Sequence, residues 1–467
     1  MKSDNRQMRL LAGETRIQPR DRIQKLMKFN ERLQNEQSAG VLKEFNFQLD
    51  KKLAEVTGRR LGPEQILFGG TSEAATQDAE WRGAIKNKRP YCAVDLSKWC
   101  IIFPAKFRNG VDEFLRVLIR VAQGMQINMK DPKMIEINDE RIATYIRSLD
   151  DIINRDPRLV MVIVERNNKP DLYAAIKKTC CVDRAVVSQV VTMTTINKPN
   201  MMSQVTNIMI QMNVKLGGAP WMVSLQLSGL MTIGFDVTHD TRDRGTSWGA
   251  MVATMDLKEH FEYFSAVSQH KHGAELSNDI GLNVIKALKV WKQKYNVLPK
   301  KIILYRDGVG DGQVEHVKEH ELSNILSKLK KVYDDAGELE QLKFAFIIVN
   351  KRLNTRIFSS NNDNPLPGTI VDDVITLPSR YDFYLISQSV RQGTVSPTSY
   401  YVIYDTLGLN ADKVQILTYK MCHIYYNWSG TTRVPAVVQY AKKLAFFVGQ
   451  YLHHAPSNAL EKQLYFL

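Results

Sequence analysis

At 467 residues the chain is long enough for about three domains of roughly 150 residues each, and its 44% hydrophobic content suits buried cores. Sixty-three basic against 49 acidic residues leave a net charge of +14, which favours a polyanionic partner: nucleic acid or an anionic membrane surface. Five cysteines without a CxxC pair argue against a disulfide framework and a structural zinc site, and the absence of a signal-peptide apolar core and of an uninterrupted apolar run of ~18 residues argues against secretion and membrane spanning.

Taken in chain order, residues 1–85 are polar, basic and helix-prone. Ile23, Leu26, Met27 and Leu33 share one helical face, and Val41, Leu42, Phe45 and Leu49 continue the pattern. Gly58, Gly62-Pro63 and Gly69-Gly70 then punctuate the chain. This region reads as a helical linker and not as an independent domain. From 86 to 222, buried-strand runs at 99–103 and 159–164 alternate with helical patterns at 111–121 and 173–178, the texture of a parallel α/β sheet covered on both faces. From 223 onward, runs at 231–237, 248–255 and 264–267 predict an antiparallel meander. A long helix from 278 to 295 follows, and two buried strands at 302–305 and 344–349 are separated by a helix. That order is the one expected of a ribonuclease H-like domain.

Two aspartates close apolar strands in this region. Asp236 follows the run 231–235, and Asp307 follows Ile302–Arg306. Carboxylates at two strand ends can share magnesium, a hard cation that takes oxygen ligands, and a pair of such ions can cut a phosphodiester in line. Either aspartate alone reads equally well as a turn residue, Asp307-Gly308 especially. A third carboxylate is expected between them; Glu275 is one candidate, with Glu259, Glu262 and Asp279 competing. In the second segment Tyr173 and Lys177 lie four apart on one helical face, read as lying near a helix start, and with Gln189 and Lys215 they supply donors for a terminal phosphate. A solvated helix face is the plain alternative.

The segments GFDVTHD (234–240), YRDGVG (305–310), GTIVDDVITLP (368–378), QGTVSPTSY (392–400) and YYNWSGTTRVPA (425–436) together resemble the C-terminal half of a PIWI-clade Argonaute. The resemblance runs over the whole chain and implies three parts: a second linker (1–85), a Rossmann-like MID domain (86–222) and a ribonuclease H-like PIWI domain (223–467). The N-terminal and PAZ domains of such proteins are missing, as in a fragment or short isoform. The family's catalytic tetrad is Asp-Glu-Asp-His. Asp236 and Asp307 match its aspartates, Glu275 its mobile glutamate, and Lys442 stands where the family usually has histidine. A protonated lysine has no lone pair to ligate a metal, so this departure puts full cutting activity in doubt. His423 is a tempting substitute, but its segment reads as packing. Tyr173, Lys177, Gln189 and Lys215 match the guide 5′-phosphate pocket, and Gln211 with the carboxylate of Leu467 match the positions that hold a second magnesium there. The loop 165–172 resembles the segment that reads the first guide base.

The resemblance therefore implies a piRNA-guided silencing protein that cleaves complementary transposon RNA with Mg2+, or Mn2+. Two alternatives stand beside it: a guide-binding scaffold that silences through recruited partners, and an unguided nuclease. Expected partners are a piRNA guide, complementary target RNA and, through a missing N-terminal arm, Tudor-domain and other piRNA-pathway proteins. No membrane partner is expected. A cytoplasmic germ granule is the expected location, with the nucleus as alternative. Arg433 is expected either on the RNA backbone or as a buried structural arginine, and Asp372 and Asp373 are not expected to be catalytic.

Overall fold

The computed structural model describes residues 11, 14–86, 88–166, 169–271 and 273–467, without the side chains of 36–38 and 273–278. The N-terminal segment carries helices α1 (Pro19–Leu33) and α2 (Glu36–Glu44), a two-residue strand β1 (Arg59–Arg60) and a hairpin of β2 (Gln65–Phe68) and β3 (Thr71–Ala74). Its helices are those the periodicity predicts. The strands have no such signal, yet β1 forms the edge of the large sheet by pairing antiparallel with residues 369–370. The segment is thus built into the rest of the molecule as well as linking it.

The next segment alternates β4 (Trp99–Pro104), α3 (Arg108–Gly124), β5 (Lys133–Ile137), α4 (Ile142–Ile153), β6 (Leu159–Val164), α5 (Pro170–Lys178), β7 (Val187–Thr192) and α6 (Met201–Lys215). Its four strands pair in parallel in the order β5-β4-β6-β7. Every residue of β4 and β6 is buried, because a parallel sheet covered on both faces leaves no solvent side for alternation. Helix α3 answers with Val111, Phe114, Leu115, Leu118, Val121 and Ala122 on its buried stripe.

The third segment begins with the expected meander, β8 (Leu230–His239), β9 (Ser247–Thr254) and β10 (Tyr263–His270), paired antiparallel. After α7 (Gly273–Tyr295) come β11 (Lys301–Asp307), α8 (Ser323–Asp334) and β12 (Phe344–Asn350). Strand β11 lies parallel between β8 and β12. Strands β13 (Thr369–Val371), β14 (Tyr381–Ile386) and β15 (Thr398–Asp405) then complete a nine-stranded sheet, ordered β1-β13-β14-β15-β12-β11-β8-β9-β10. Helices α9 (Ala411–Met421) and α10 (Ala436–Phe447) follow. This is the mixed α/β fold of a ribonuclease H-like domain. One apolar cluster runs through both sheets, from Ile101 and Val162 to Tyr305, Tyr440 and Phe466. No helix among the described residues is long and apolar enough to cross a membrane.

One glycine sets the distance between β8 and α10. A Cβ on Gly234 would fall inside the backbone of Val437 and Val438, so only the absence of a side chain lets the helix lie this close to the strand. Gly234→Ala must push α10 away. Forcing atoms into a packed contact costs ~1–3 kcal/mol and more where backbone must yield. A thermal melt should show a lowered transition, and an unchanged transition would show that the contact is not tight.

Candidate active site and anion pocket

The parallel register places two carboxylates side by side. Pairing of β11 with β8 runs up to Arg306 opposite Phe235, and the next residue on each strand is an aspartate. Asp236 and Asp307 therefore stand side by side where the β8–β11 pairing stops, towards the C-terminal ends of two neighbouring parallel strands inside the sheet, the end at which α/β folds open their crevices. Both line one cavity of about 780 Å3, together with Lys351, Arg352 and Lys442. Asp236 is 8% and Asp307 2% exposed. Burial first, and then the adjacent Asp307 charge, raise the Asp236 carboxyl above the usual carboxylate range.

Backbone amides hold the pair in place. Asp236 Oδ1 accepts from Val237 N–H at 2.9 Å, and Asp307 Oδ1 accepts from Gly308 N–H at 2.8 Å. Gly308 has φ +79°, a left-handed turn that carries the chain off the strand and that glycine adopts without strain. The ammonium of Lys351, one residue beyond β12, pairs with Asp307 Oδ2. Behind them Arg306 is buried against Glu321 of the helical stretch Val317–Leu322, with Nε–Oε2 at 2.8 Å and Nη2–Oε1 at 3.1 Å. Its guanidinium also lies 5.1 Å from the Phe235 ring centroid and donates to the Asp307 carbonyl.

Paired carboxylates are the hard-oxygen donor set that Mg2+ or Mn2+ takes, and a cationic ammonium already stands on one of them. The residues present fit a divalent cation held between Asp236 and Asp307. Glu275 falls in the first turns of α7, and its side chain lies outside the described residues. Among the described residues no three acidic, histidine or cysteine side chains converge as a metal cluster. Lys442 is exposed on the cavity wall contributed by α10. His423 is not a ligand for this site. It is fully buried, its Nδ1 lies 3.0 Å from the Tyr419 carbonyl, and it stacks on Trp81 at 5.6 Å. Burial lowers its pKa to about 4, which marks a neutral core histidine.

The second site is the electrostatic opposite of the first. Lys177 and Lys215 are 2% and 1% exposed, and both ammonium groups donate to the Ser188 carbonyl at 3.0 Å. Lys177 also donates to Ser188 Oγ at 2.9 Å, and Lys215 to Gln189 Oε1 at 2.9 Å. Gln189 then donates to Gln211 Oε1 at 3.0 Å, and Gln211 to Asn427 Oδ1 at 2.7 Å. Tyr173 joins through its ring, 5.9 Å from the Lys177 ammonium and 4.9 Å from the Tyr451 ring. All four predicted pocket residues and Gln211 are thus brought together. One detail differs from expectation. Helix α5 begins at Pro170, so Lys177 sits in its last turn and not near its N-terminus; the favourable dipole end for a cation is the one it occupies. Leu467 packs against the main core, and among the described residues its carboxylate makes no ion pair with these lysines.

Burial pushes the pKa of both lysines down, that of Lys215 well down, with the Lys177 and Lys443 charges adding to the effect. No carboxylate partner of Lys177 or Lys215 is present among the described residues. Lys443, next to the tetrad position, is lowered to about 8 by burial and then by Lys177. Sequence reading missed it, because α10 lies far from α5 and α6 along the chain. Two cavities meet at Val190. One of about 350 Å3 is lined by Gln189, Thr192, Gln211 and Asn427. The other, of about 310 Å3, is lined by Arg166, Lys169, Tyr173 and Tyr451, and it takes in described ends of the loop 165–172. Arg433 donates to the Lys351 and Pro397 carbonyls at 2.7 and 2.9 Å, bonds that fit the structural one of its two expected roles. Asp372 pairs with Arg59 and accepts from Gln415 at 2.9 Å, and it does not line the cavity of Asp236 and Asp307.

Residues 159–453 match the Piwi domain. Over its full length the chain is 47% identical to Protein aubergine and 46% identical to Protein piwi, both of Drosophila melanogaster, covering 54% and 55% of those proteins. It spans about half the length of the curated relatives it matches. The crystal structure of Drosophila Piwi superposes with a TM-score of 0.93 at 46% identity, covering 98% of this chain and 63% of that one. Kluyveromyces polysporus Argonaute with a guide RNA superposes at 0.84 with 18% identity, over 100% of this chain and 59% of that one, a likeness of fold.

The Arg306–Glu321 pair generates a prediction about the support of the carboxylate site. Glu321→Ala leaves a guanidinium buried without its carboxylate, a loss of ~3–5 kcal/mol for a broken buried pair. Denaturant unfolding should register it, and a change below ~1 kcal/mol, the size of an exposed pair, would contradict the burial described.

Proposed function

The chain belongs to the PIWI clade of the Argonaute family, and on that premise we propose that it is a guide-directed RNA silencing protein whose larger sheet carries an endoribonuclease site. The observation that supports this most is the placement of Asp236 and Asp307 side by side at strand ends, opening with Lys442 on one cavity. Magnesium or manganese bound there would supply an activated water and neutralise charge building on the scissile phosphate. Asp236 and Asp307 would hold the metal through their carboxylate oxygens, and Glu275 would be a third ligand. Lys442 has no lone pair to give; its ammonium faces the cavity as a positive charge for the RNA backbone. The products carry a 5′ phosphate and a 3′ hydroxyl.

The guide is a piRNA anchored by its 5′ phosphate. Lys177, Lys215 and Lys443 supply positive charge, Tyr173 and Gln189 supply hydrogen bonds, and Gln211 with the Leu467 carboxylate would hold a magnesium ion. Sequence is then read by base pairing, with the duplex held by its backbone and shape. Transposon RNA as target, Tudor-domain partners and residence in cytoplasmic germ granules belong to the same reading. A second reading, a guide-binding scaffold, draws on the lysine at the tetrad's fourth position.

Loaded with a 5′-phosphorylated guide and given Mg2+, the chain should cut a complementary target, and Asp236→Ala should reduce cutting to background. If wild type and variant are equally inert across guides and metals, the scaffold reading stands instead. The anion pocket has its own test. A bound phosphate dianion favours the ammonium forms of lysines whose pKa burial has lowered, so binding takes up protons. Affinity for a 5′-phosphorylated guide should therefore fall, by roughly tenfold per 1.4 kcal/mol lost, as pH rises through the value of about 8 at Lys443. Fluorescence anisotropy between pH 7 and 9 checks this against a 5′-hydroxyl guide, whose affinity should change less; equal slopes would remove the pocket from the account.

A further inference from the structure

Lys351 takes no part in the chemistry above, yet it touches the centre of it. Its ammonium pairs with Asp307 Oδ2, and its side chain is 20% exposed against 3% for the aspartate. The other carboxylate oxygen of Asp307 already accepts from Gly308 N–H at 2.8 Å. Both oxygens of the buried aspartate are therefore engaged. The backbone under Lys351 is fixed, since Arg433 Nη2 donates to its carbonyl at 2.7 Å and holds the Pro397 carbonyl at 2.9 Å as well. The ammonium, in contrast, sits at the end of a four-carbon stem with rotatable bonds, and it borders the open cavity with Arg352 and Lys442.

We propose that Lys351 is a built-in competitor for the catalytic cation: its ammonium occupies Asp307 until an RNA phosphate enters the cavity and draws it away. The inference rests on the metal reading of Asp236 and Asp307. Its physics is simple exchange. A dication and an ammonium cannot share one carboxylate oxygen at contact distance without strong repulsion. The phosphate that enters with the target strand offers Lys351 a replacement anion within the same cavity. Strand entry and cation binding then favour each other, as linkage requires, and Asp307 keeps a counter-charge while no RNA is present. A merely structural ion pair would behave in the opposite sense, since losing it would loosen Asp307 and weaken cation binding.

Mn2+ titration followed by electron paramagnetic resonance on the full chain separates these cases without measuring cleavage. Wild type, Lys351→Met, Lys351→Arg and Asp236→Ala are compared, first without RNA and then with a guide paired to a non-cleavable target. An ammonium present ~90% of the time lowers apparent affinity ~10-fold, so Lys351→Met should bind Mn2+ about that much more tightly without RNA. Lys351→Arg should stay near wild type. With the duplex present the gap between wild type and Lys351→Met should close to under ~3-fold. Equal or weaker Mn2+ binding by Lys351→Met without RNA overturns the competitor role, and a gap that persists with RNA overturns the coupling. Should the Met variant fail to fold, Lys351→Gln carries the same expectations. If no variant has a Mn2+ site that Asp236→Ala removes, the metal reading itself has failed, and this result is distinct from the other two.

Discussion

Two negative charges forced together at the end of a parallel strand pair are the constraint around which the larger sheet is organised. Asp236 and Asp307 follow directly on the last paired residues of β8 and β11, so backbone pairing, not side-chain choice, sets their separation. Left alone, such a pair repels and its burial is costly. The surrounding structure offsets that cost with amides from Val237 and Gly308, the ammonium of Lys351 and the nearby Arg306 guanidinium. Two of these supports are themselves held: Arg306 by Glu321, and the Lys351 backbone by Arg433. The carboxylate pair so supported lines an open cavity where the β8–β11 pairing stops.

The smaller sheet poses the inverse problem. Lys177 and Lys215 point at one carbonyl from two helices, buried and, among the described residues, without a carboxylate partner. An anion entering there would restore what burial has taken from them. The two sites belong to one body, because a single apolar cluster joins the sheets. Ser457 N–H donates to the Cys181 carbonyl at 2.8 Å, and Trp81 stacks on His423 while meeting Trp221 edge-on at 5.5 Å. Lys442 and Lys443 make the connection concrete. Adjacent on α10, the first lines the carboxylate cavity and the second is electrostatically coupled to Lys177.

What was legible in the sequence follows from how local each signal is. The strands around both sites announce themselves as continuous apolar runs, because both faces of those strands are covered. Asp236 and Asp307 stand out because each ends such a run. Strand β1 could not be read, since two arginines carry no period and their pairing with residues 369–370 lies some three hundred positions away. Lys351 and Lys443 were missed for a related reason. Each acts through a neighbour supplied by another strand or helix, and nothing in KRL or AKKLA marks which lysine turns inward. Glu275 was singled out by family motif alone, because among nearby acids spacing did not prefer it.

Sulfur substitution at the scissile phosphate tests the shared-cation claim most directly. With a nonbridging oxygen of the target's scissile phosphate replaced by sulfur, a hard magnesium ion loses a ligand it prefers, while softer manganese or cadmium accepts it. The account predicts that guided cutting of the sulfur-substituted target collapses in Mg2+ and returns in Mn2+ or Cd2+. Cutting that is indifferent to both the sulfur and the metal would contradict it.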